Sequence, residues 1–145
     1  MLIQENPPAE DKFVDLMKRI RRLGLGPLNS EDGAASPAQM ALIDWAAKHP
    51  GCGVQEIADG LNLAPPTISV SVKKMEQNGI IERKSHPSDG RSVQFFLTPQ
   101  GQKMYDRNQS YQRKKVQLLL SGLTQQEQET LTALLERALQ SAELK

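Results

Sequence analysis

The spacing of apolar residues predicts helices at both ends of the chain. Near the start, four apolar residues recur at helical intervals: Phe13, Leu16, Met17 and Ile20. A long helix is predicted from Thr98-Pro99 to about Leu120. After a Thr124–Glu127 capping box, a last helix carries one apolar stripe: Leu131, Leu134, Leu135, Ala138 and Ala142. We expect these three helices to pack together and against a second copy of the chain. An intramolecular bundle in a monomer is the alternative.

Between the terminal helices, the pattern changes to short elements. Three helices are predicted, from Pro37 to about Lys48, from Val54 to Gly60 and from Pro65 to Gln77. The last two are joined by a tight turn, which is typical of a helix-turn-helix. Two strands, Ile80–Ser85 and Ser92–Leu97, flank a polar tip of sequence HPSDGR.

These elements predict a mainly α fold with a small β-ribbon. A winged helix-turn-helix lobe would occupy residues 36–98. A helical dimerisation domain would be built from the N-terminal helix and loop, residues 1–35, and the C-terminal helices, residues 99–145.

Composition narrows the functional classes. The 145 residues are 38% hydrophobic and 24% charged, as in a globular protein. The apolar runs fall far short of the roughly 20 residues that cross a bilayer. No signal peptide is evident. A cytoplasmic location without membrane contact is therefore expected. One cysteine and two histidines predict neither a disulfide nor a metal site, and the absence of a phosphate-binding glycine loop or a nucleophile–base pair predicts no cofactor and no catalysis.

The helix predicted from Pro65 to Gln77 has two distinct faces. Ile68, Val72 and Met75 share the face expected to be buried. The opposite face has lysines and hydroxyls but no acid, and its candidate DNA-binding residues are Pro66, Thr67, Ser69, Val70, Lys73 and Lys74. Such a helix can enter a major groove, with the lysines at phosphates. An ordinary solvated surface is the alternative. Because Pro65 and Pro66 lack N–H groups, we expect few helix-terminal amides to bind phosphate.

The ribbon supplies a second set of candidate DNA-binding residues. Arg91 is long enough to enter a minor groove. Asp89, two residues away, can hold the Arg91 guanidinium in place. Arg83 and Lys84 can add phosphate contacts. A surface hairpin with a local ion pair is the alternative.

Three segments together resemble the MarR family of winged-helix transcription regulators. They are the IADGLNL–TIS–VKKMEQNGIIER run, the Asp89-Gly90-Arg91 wing and the VQFFLTPQG run that follows. The resemblance covers almost the whole chain. It implies a homodimeric repressor that places one helix per subunit in the major groove of a palindromic operator and one wing in the minor groove. It also implies release from double-stranded DNA by a small phenolic or anionic effector, whose binding residues the sequence does not identify.

The chain departs from the family pattern in the recognition helix. Members often have a serine where this chain has Ala64-Pro65, and many have an arginine at the position of Val70. These differences concern which bases are read.

The sequence is also compatible with two other functions. Cys52, in a predicted loop close to His49, can act as a redox sensor if its thiol is exposed and acidic; a small buried thiol is the alternative. The winged helix can also serve as a protein-interaction module.

Overall fold

The computed structural model describes residues 7–25, 35–90 and 92–144. These residues form six helices: α1 (Ala9–Arg22), α2 (Pro37–Lys48), α3 (Val54–Leu61), α4 (Pro65–Gln77), α5 (Pro99–Leu120) and α6 (Gln125–Glu143). Two antiparallel strands, β1 (Ile81–Ser85) and β2 (Val93–Leu97), form a ribbon between α4 and α5. The prediction of a mainly α fold with a β-ribbon is therefore confirmed. None of the helices in these ranges is long and apolar enough to span a membrane.

Both strands begin one residue later than the sequence predicts. Ile80 belongs to the turn that follows α4, because its N–H donates to the Met75 carbonyl at 2.9 Å. Ser92 belongs to the tip, because its N–H donates to the Asp89 carbonyl at 3.0 Å. These backbone groups close turns instead of extending the ladder that pairs Ile81 with Leu97 and Ser85 with Val93.

The chain divides into two compact units, Met1–Gln112 and Arg113–Lys145. The first unit contains the hydrophobic core, in which α2, α3, α4 and the ribbon meet. The largest side chains that are fully buried there are Phe95, Met40, Leu42, Ile43, Ile57, Ile68, Met75 and Val72. Capping fixes the start of α2, since the Ser36 and Gln39 side chains each accept the backbone N–H of the other residue.

Cys52 forms a short bridge to β2 rather than lying in a plain loop. The Phe95 N–H donates to the Cys52 carbonyl at 2.9 Å, and the Gly51 N–H donates to the Phe95 carbonyl at 3.0 Å. This pairing directs the Cys52 side chain into the core, where only 1% of its surface is exposed.

The second unit contains the end of α5 and the whole of α6. The predicted Thr124–Glu127 capping box is present, with both backbone-to-side-chain hydrogen bonds made. The Gln128 side-chain amide donates to the Leu120 and Leu123 carbonyls and so secures the turn between the helices. No residue of α6 is buried, and its leucines are exposed by 38–55% from Leu131 to Leu139.

The N-terminal helix is also exposed on its apolar side. No residue of α1 is buried, although the helix is strongly amphipathic. Its exposed large hydrophobic residues are Phe13, Val14, Leu16, Met17 and Ile20. Such a stripe is unfavourable in water, so α1 has an apolar face available for a partner.

Candidate nucleic-acid interface

A tight turn sets α4 against α3. Asn62 adopts a left-handed conformation (φ 55°), which asparagine tolerates better than most residues, and it ends α3. The Leu63 N–H then donates to the Ala58 carbonyl at 2.9 Å. Only Asn62–Ala64 separate the two helices, so the predicted helix-turn-helix is confirmed.

The two predicted faces of α4 are both observed. Ile68, Val72 and Met75 are at most 1% exposed and lie in the core. The residues proposed to face DNA are all exposed: Pro66, Thr67, Ser69, Val70, Lys73 and Lys74. Val70 is exposed by 71%, although it is apolar. The helix therefore presents a basic, hydroxyl-bearing surface with one apolar side chain in it.

The backbone at the N-terminus of α4 offers few free N–H groups that could bind an anion. Pro65 and Pro66 have no N–H groups, and the next two N–H groups, of Thr67 and Ile68, point to the Ala64 carbonyl at 3.0 and 3.2 Å. Side chains must consequently supply the positive charge and the donors that would hold a phosphate. Lys73 and Lys74 are the cations that α4 offers.

The acid of α4 is neutralised by the ribbon. Glu76 Oε1 accepts hydrogen bonds from Arg83 Nη2 at 2.8 Å and from Arg83 Nε at 3.2 Å. The Arg83 guanidinium also lies 5.5 Å from the centre of the Phe95 ring. Arg83 therefore connects β1 to α4, an arrangement that the sequence does not predict. Residues seven apart on a helix and a strand give no local signal of contact.

Lys84 lies on the other side of β1 from Arg83. Its ammonium group is 3.3 Å from the Glu82 carboxylate and 5.0 Å from the centre of the Phe96 ring. About 60% of the Lys84 side chain is exposed. Because such an exposed ion pair contributes little, Lys84 remains accessible to a stronger anion.

The tip of the ribbon is closed by short-range hydrogen bonds. The His86 N–H donates to the Ser92 carbonyl at 2.9 Å, and the Ser88 N–H donates to His86 Nδ1 at 3.1 Å. Asp89 accepts the Ser92 hydroxyl at 3.0 Å. Arg91, predicted to enter the minor groove, lies outside the described residues, and so does its expected contact with Asp89.

Thr98 fixes the base of the ribbon. Its hydroxyl accepts the Gly101 N–H at 3.1 Å, which caps α5, and donates to the Gly79 carbonyl at 2.6 Å. Gly101 lies so close to Ile80 that an added Cβ would overlap the Ile80 carbonyl oxygen. These contacts give a physical reason for the threonine and glycine of the LTPQG sequence, since they join α5 to the end of α4.

Cys52 has the properties of a core residue and not of a reactive thiol. Burial raises the pKa of the Cys52 thiol, and the Glu56 carboxylate raises it further. The nearby His49 ring instead stacks on Trp45, with the ring centres 4.0 Å apart. A buried thiol with a raised pKa forms little thiolate, so the structure does not favour redox sensing through Cys52.

Comparisons with known proteins agree with this geometry. Residues 35–93 match the MarR family model. The HTH-type transcriptional regulator YxaD of Bacillus subtilis is 31% identical over 136 residues, which are 93% of this chain and 95% of YxaD.

Solved structures show the same fold. MepR, a transcription regulator of the Staphylococcus aureus multidrug efflux pump MepA, superposes with a TM-score of 0.76 at 22% identity, covering 94% of this chain and 99% of MepR. Streptococcus pneumoniae FabT in complex with DNA gives a TM-score of 0.70 at 22% identity, covering 94% and 93% of the two chains. With YxaD related over nearly its whole length and the family model matched across the helix-turn-helix, the chain belongs to the MarR family of DNA-binding winged-helix transcriptional regulators.

Proposed function

We propose that this protein is a homodimeric cytoplasmic repressor that binds a palindromic operator and is released from it by a small-molecule effector. The observation that carries the proposal is the exposed face of α4, which has lysines and hydroxyls but no uncompensated acid. This face lies beside a ribbon that is tied to α4 through Arg83 and to the turn after α4 through Thr98.

Each part of this surface has a separate role on DNA. The N-terminal half of α4 would enter the major groove, with Pro66, Thr67, Ser69 and Val70 towards the bases and nearby phosphates. Lys73 and Lys74 would contact phosphates. Arg91 would enter the adjacent minor groove, while Asp89 holds the tip through its bonds to Ser92.

The two basic residues of β1 are not equivalent in this account. Lys84 would contact the phosphate backbone, because its exposed ion pair with Glu82 is weak and a phosphate can replace the carboxylate. Arg83 lies where the ribbon would approach the DNA backbone, but its guanidinium already binds the Glu76 carboxylate. Its main contribution would therefore be to hold the wing against α4.

The exposed apolar helix faces support the homodimer. The leucines of α6 and the apolar stripe of α1 are 38–55% exposed from Phe13 to Ile20 and from Leu131 to Leu139. A groove of about 500 Å³ on α6, lined in part by Leu123, Leu131 and Leu134, has the apolar character that a second helix would fill. A dimer would also present two α4 helices, which an inverted repeat requires.

Release by an effector is proposed by analogy with the family, and no residue is assigned to effector binding. A small aromatic carboxylate, salicylate, is a suitable first probe, because it combines the phenolic and anionic character expected of such effectors. Salicylate should lower the fraction of protein bound to operator DNA at constant ionic strength. Sodium chloride at the same concentration is the control.

The proposal is tested by selecting duplexes from a random library with the purified protein. We expect an inverted repeat to be recovered and to bind two protomers, as measured by sedimentation of the complex. Recovery of no sequence above background at low salt would refute specific DNA binding. Binding of one protomer to an asymmetric site would refute the dimeric arrangement.

A further inference from the structure

Val70 occupies the centre of the outward face of α4. At about 100° per residue, it lies about 200° from Ile68 and thus almost opposite the buried face. Its side chain is 71% exposed, more than that of any other large hydrophobic residue described in the unit up to Gln112. Whatever α4 faces will therefore meet the two methyl groups of Val70.

The surroundings of Val70 indicate an anionic partner. Lys73 and Lys74 follow it by three and four residues, so they lie beside it on the same side of the helix. Thr67 precedes it by three residues and adds a hydroxyl. An apolar side chain between two cations suits a groove with charged rims and an uncharged floor, which the major groove of DNA provides.

The other side chains of this face limit which bases α4 can recognise. Its first three turns contain no arginine, asparagine or glutamine to make paired hydrogen bonds with guanine or adenine, and the two lysines there are assigned to phosphates. Gln77 is the last residue of the helix, far from the N-terminal half that enters the groove. The apolar feature that a base edge offers in the major groove is the C5 methyl group of thymine.

We infer that Val70 packs against a pyrimidine C5 methyl group and selects a thymine at one position of each operator half-site. This inference rests on the proposed function, because it needs α4 to lie in the major groove. Unmodified cytosine has a hydrogen at C5 and would be disfavoured. Cytosine methylated at C5 presents the same methyl group and would be accepted in place of thymine.

The test uses the highest-affinity duplex obtained by selection with the 145-residue protein. Each thymine is replaced singly by deoxyuridine, which removes only the C5 methyl group, and the Kd is measured by fluorescence anisotropy. At one thymine per half-site we expect about a fourfold loss of affinity, the effect of one lost methyl contact. Replacement in both half-sites should give a loss of about fifteenfold, because the two contacts add.

Variants at two positions of α4 assign the effect to a residue. Val70→Ala should bind the thymine and deoxyuridine duplexes with equal affinity. Gln77→Ala, a change on the same face beyond the groove-entering half, should retain the full discrimination. At the sensitive position, 5-methylcytosine opposite guanine should bind the wild-type protein more tightly than cytosine does, and Val70→Ala should not distinguish the two.

Two outcomes would overturn the inference while leaving DNA binding intact. One is a specific duplex that tolerates deoxyuridine at every thymine. The other is a Val70→Ala variant that discriminates against deoxyuridine as strongly as the wild-type protein. If no specific duplex is recovered, the proposed function itself fails, so the two failures are distinguishable.

Discussion

Arg83 of β1 donates two hydrogen bonds to a single carboxylate oxygen of Glu76 on α4, at 2.8 and 3.2 Å. The pair joins the proposed recognition helix to the wing at a point where both side chains remain partly exposed. A pair of this exposure contributes little to the stability of the fold. Its importance would instead be geometric, because it sets the direction in which the wing leaves α4.

This pair gives a prediction that separates positioning from phosphate contact. Glu76→Gln and Arg83→Gln should each weaken operator binding by about two- to fivefold, as expected for about 0.5–1 kcal/mol. The double variant should be no weaker than the single variants, because both remove the same link. Binding constants measured at several salt concentrations should keep the wild-type salt dependence in all three variants.

If Arg83 contacts phosphate instead, the results change in two ways. Arg83→Gln would then reduce the dependence of log K on log salt by about one unit per arginine. Glu76→Gln would leave the affinity unchanged or increase it, because the arginine would be freed for DNA.

Gly101 should be intolerant of even the smallest side chain. An added Cβ would overlap the Ile80 carbonyl oxygen, a backbone atom that cannot turn aside as the end of a flexible side chain can, and it would also crowd the Leu97 Cδ2 methyl group. Gly101→Ala should lower the free energy of unfolding by about 1–3 kcal/mol in urea denaturation. Gly122→Ala is the matched control, since its nearest neighbour, the Leu119 carbonyl oxygen, is 4.0 Å away. Equal stability of the two variants would show that α5 and Ile80 are less closely packed than described.

Local patterns were sufficient to predict the elements of this fold. The caps at Ser36 and Thr124, and the two faces of α4, depend on residues within one or two helical turns, so the sequence displays them. The contact of Arg83 with Glu76 and that of Thr98 with Gly79 depend on how elements meet in space. The sequence pattern does not predict these contacts, because they join residues of different elements. In LTPQG it shows only a capping threonine and a nearby glycine.

The sequence also left Cys52 in a loop, whereas it pairs with Phe95 and is buried. Native protein should therefore react with Ellman's reagent at pH 8 far more slowly than a free thiol, because burial raises the thiol pKa and excludes the reagent. Reaction should become rapid in denaturant. Fast stoichiometric labelling of native protein, accompanied by loss of DNA binding, would restore redox sensing as a candidate function.

The apolar stripe of α6 should determine the oligomeric state. Leu134→Glu places a charge in the centre of the stripe and should raise the dimer dissociation constant at least about tenfold, measured by sedimentation equilibrium. Ala133→Glu adds the same charge to the opposite side of the helix and should leave the dimer intact. A Leu134→Glu protein that remains as dimeric as Ala133→Glu would exclude α6 from the interface.

The most direct test of the account is the salt dependence of operator binding by wild-type protein and Lys73→Ala. Affinity of the wild-type protein should fall steeply as salt rises, because bound lysines displace counterions from phosphates. Lys73→Ala should bind more weakly to all sequences and reduce the salt slope by about one unit per lysine, or about two for a dimer. An unchanged slope would contradict the placement of α4 against DNA, and affinity independent of salt would contradict DNA recognition by this surface altogether.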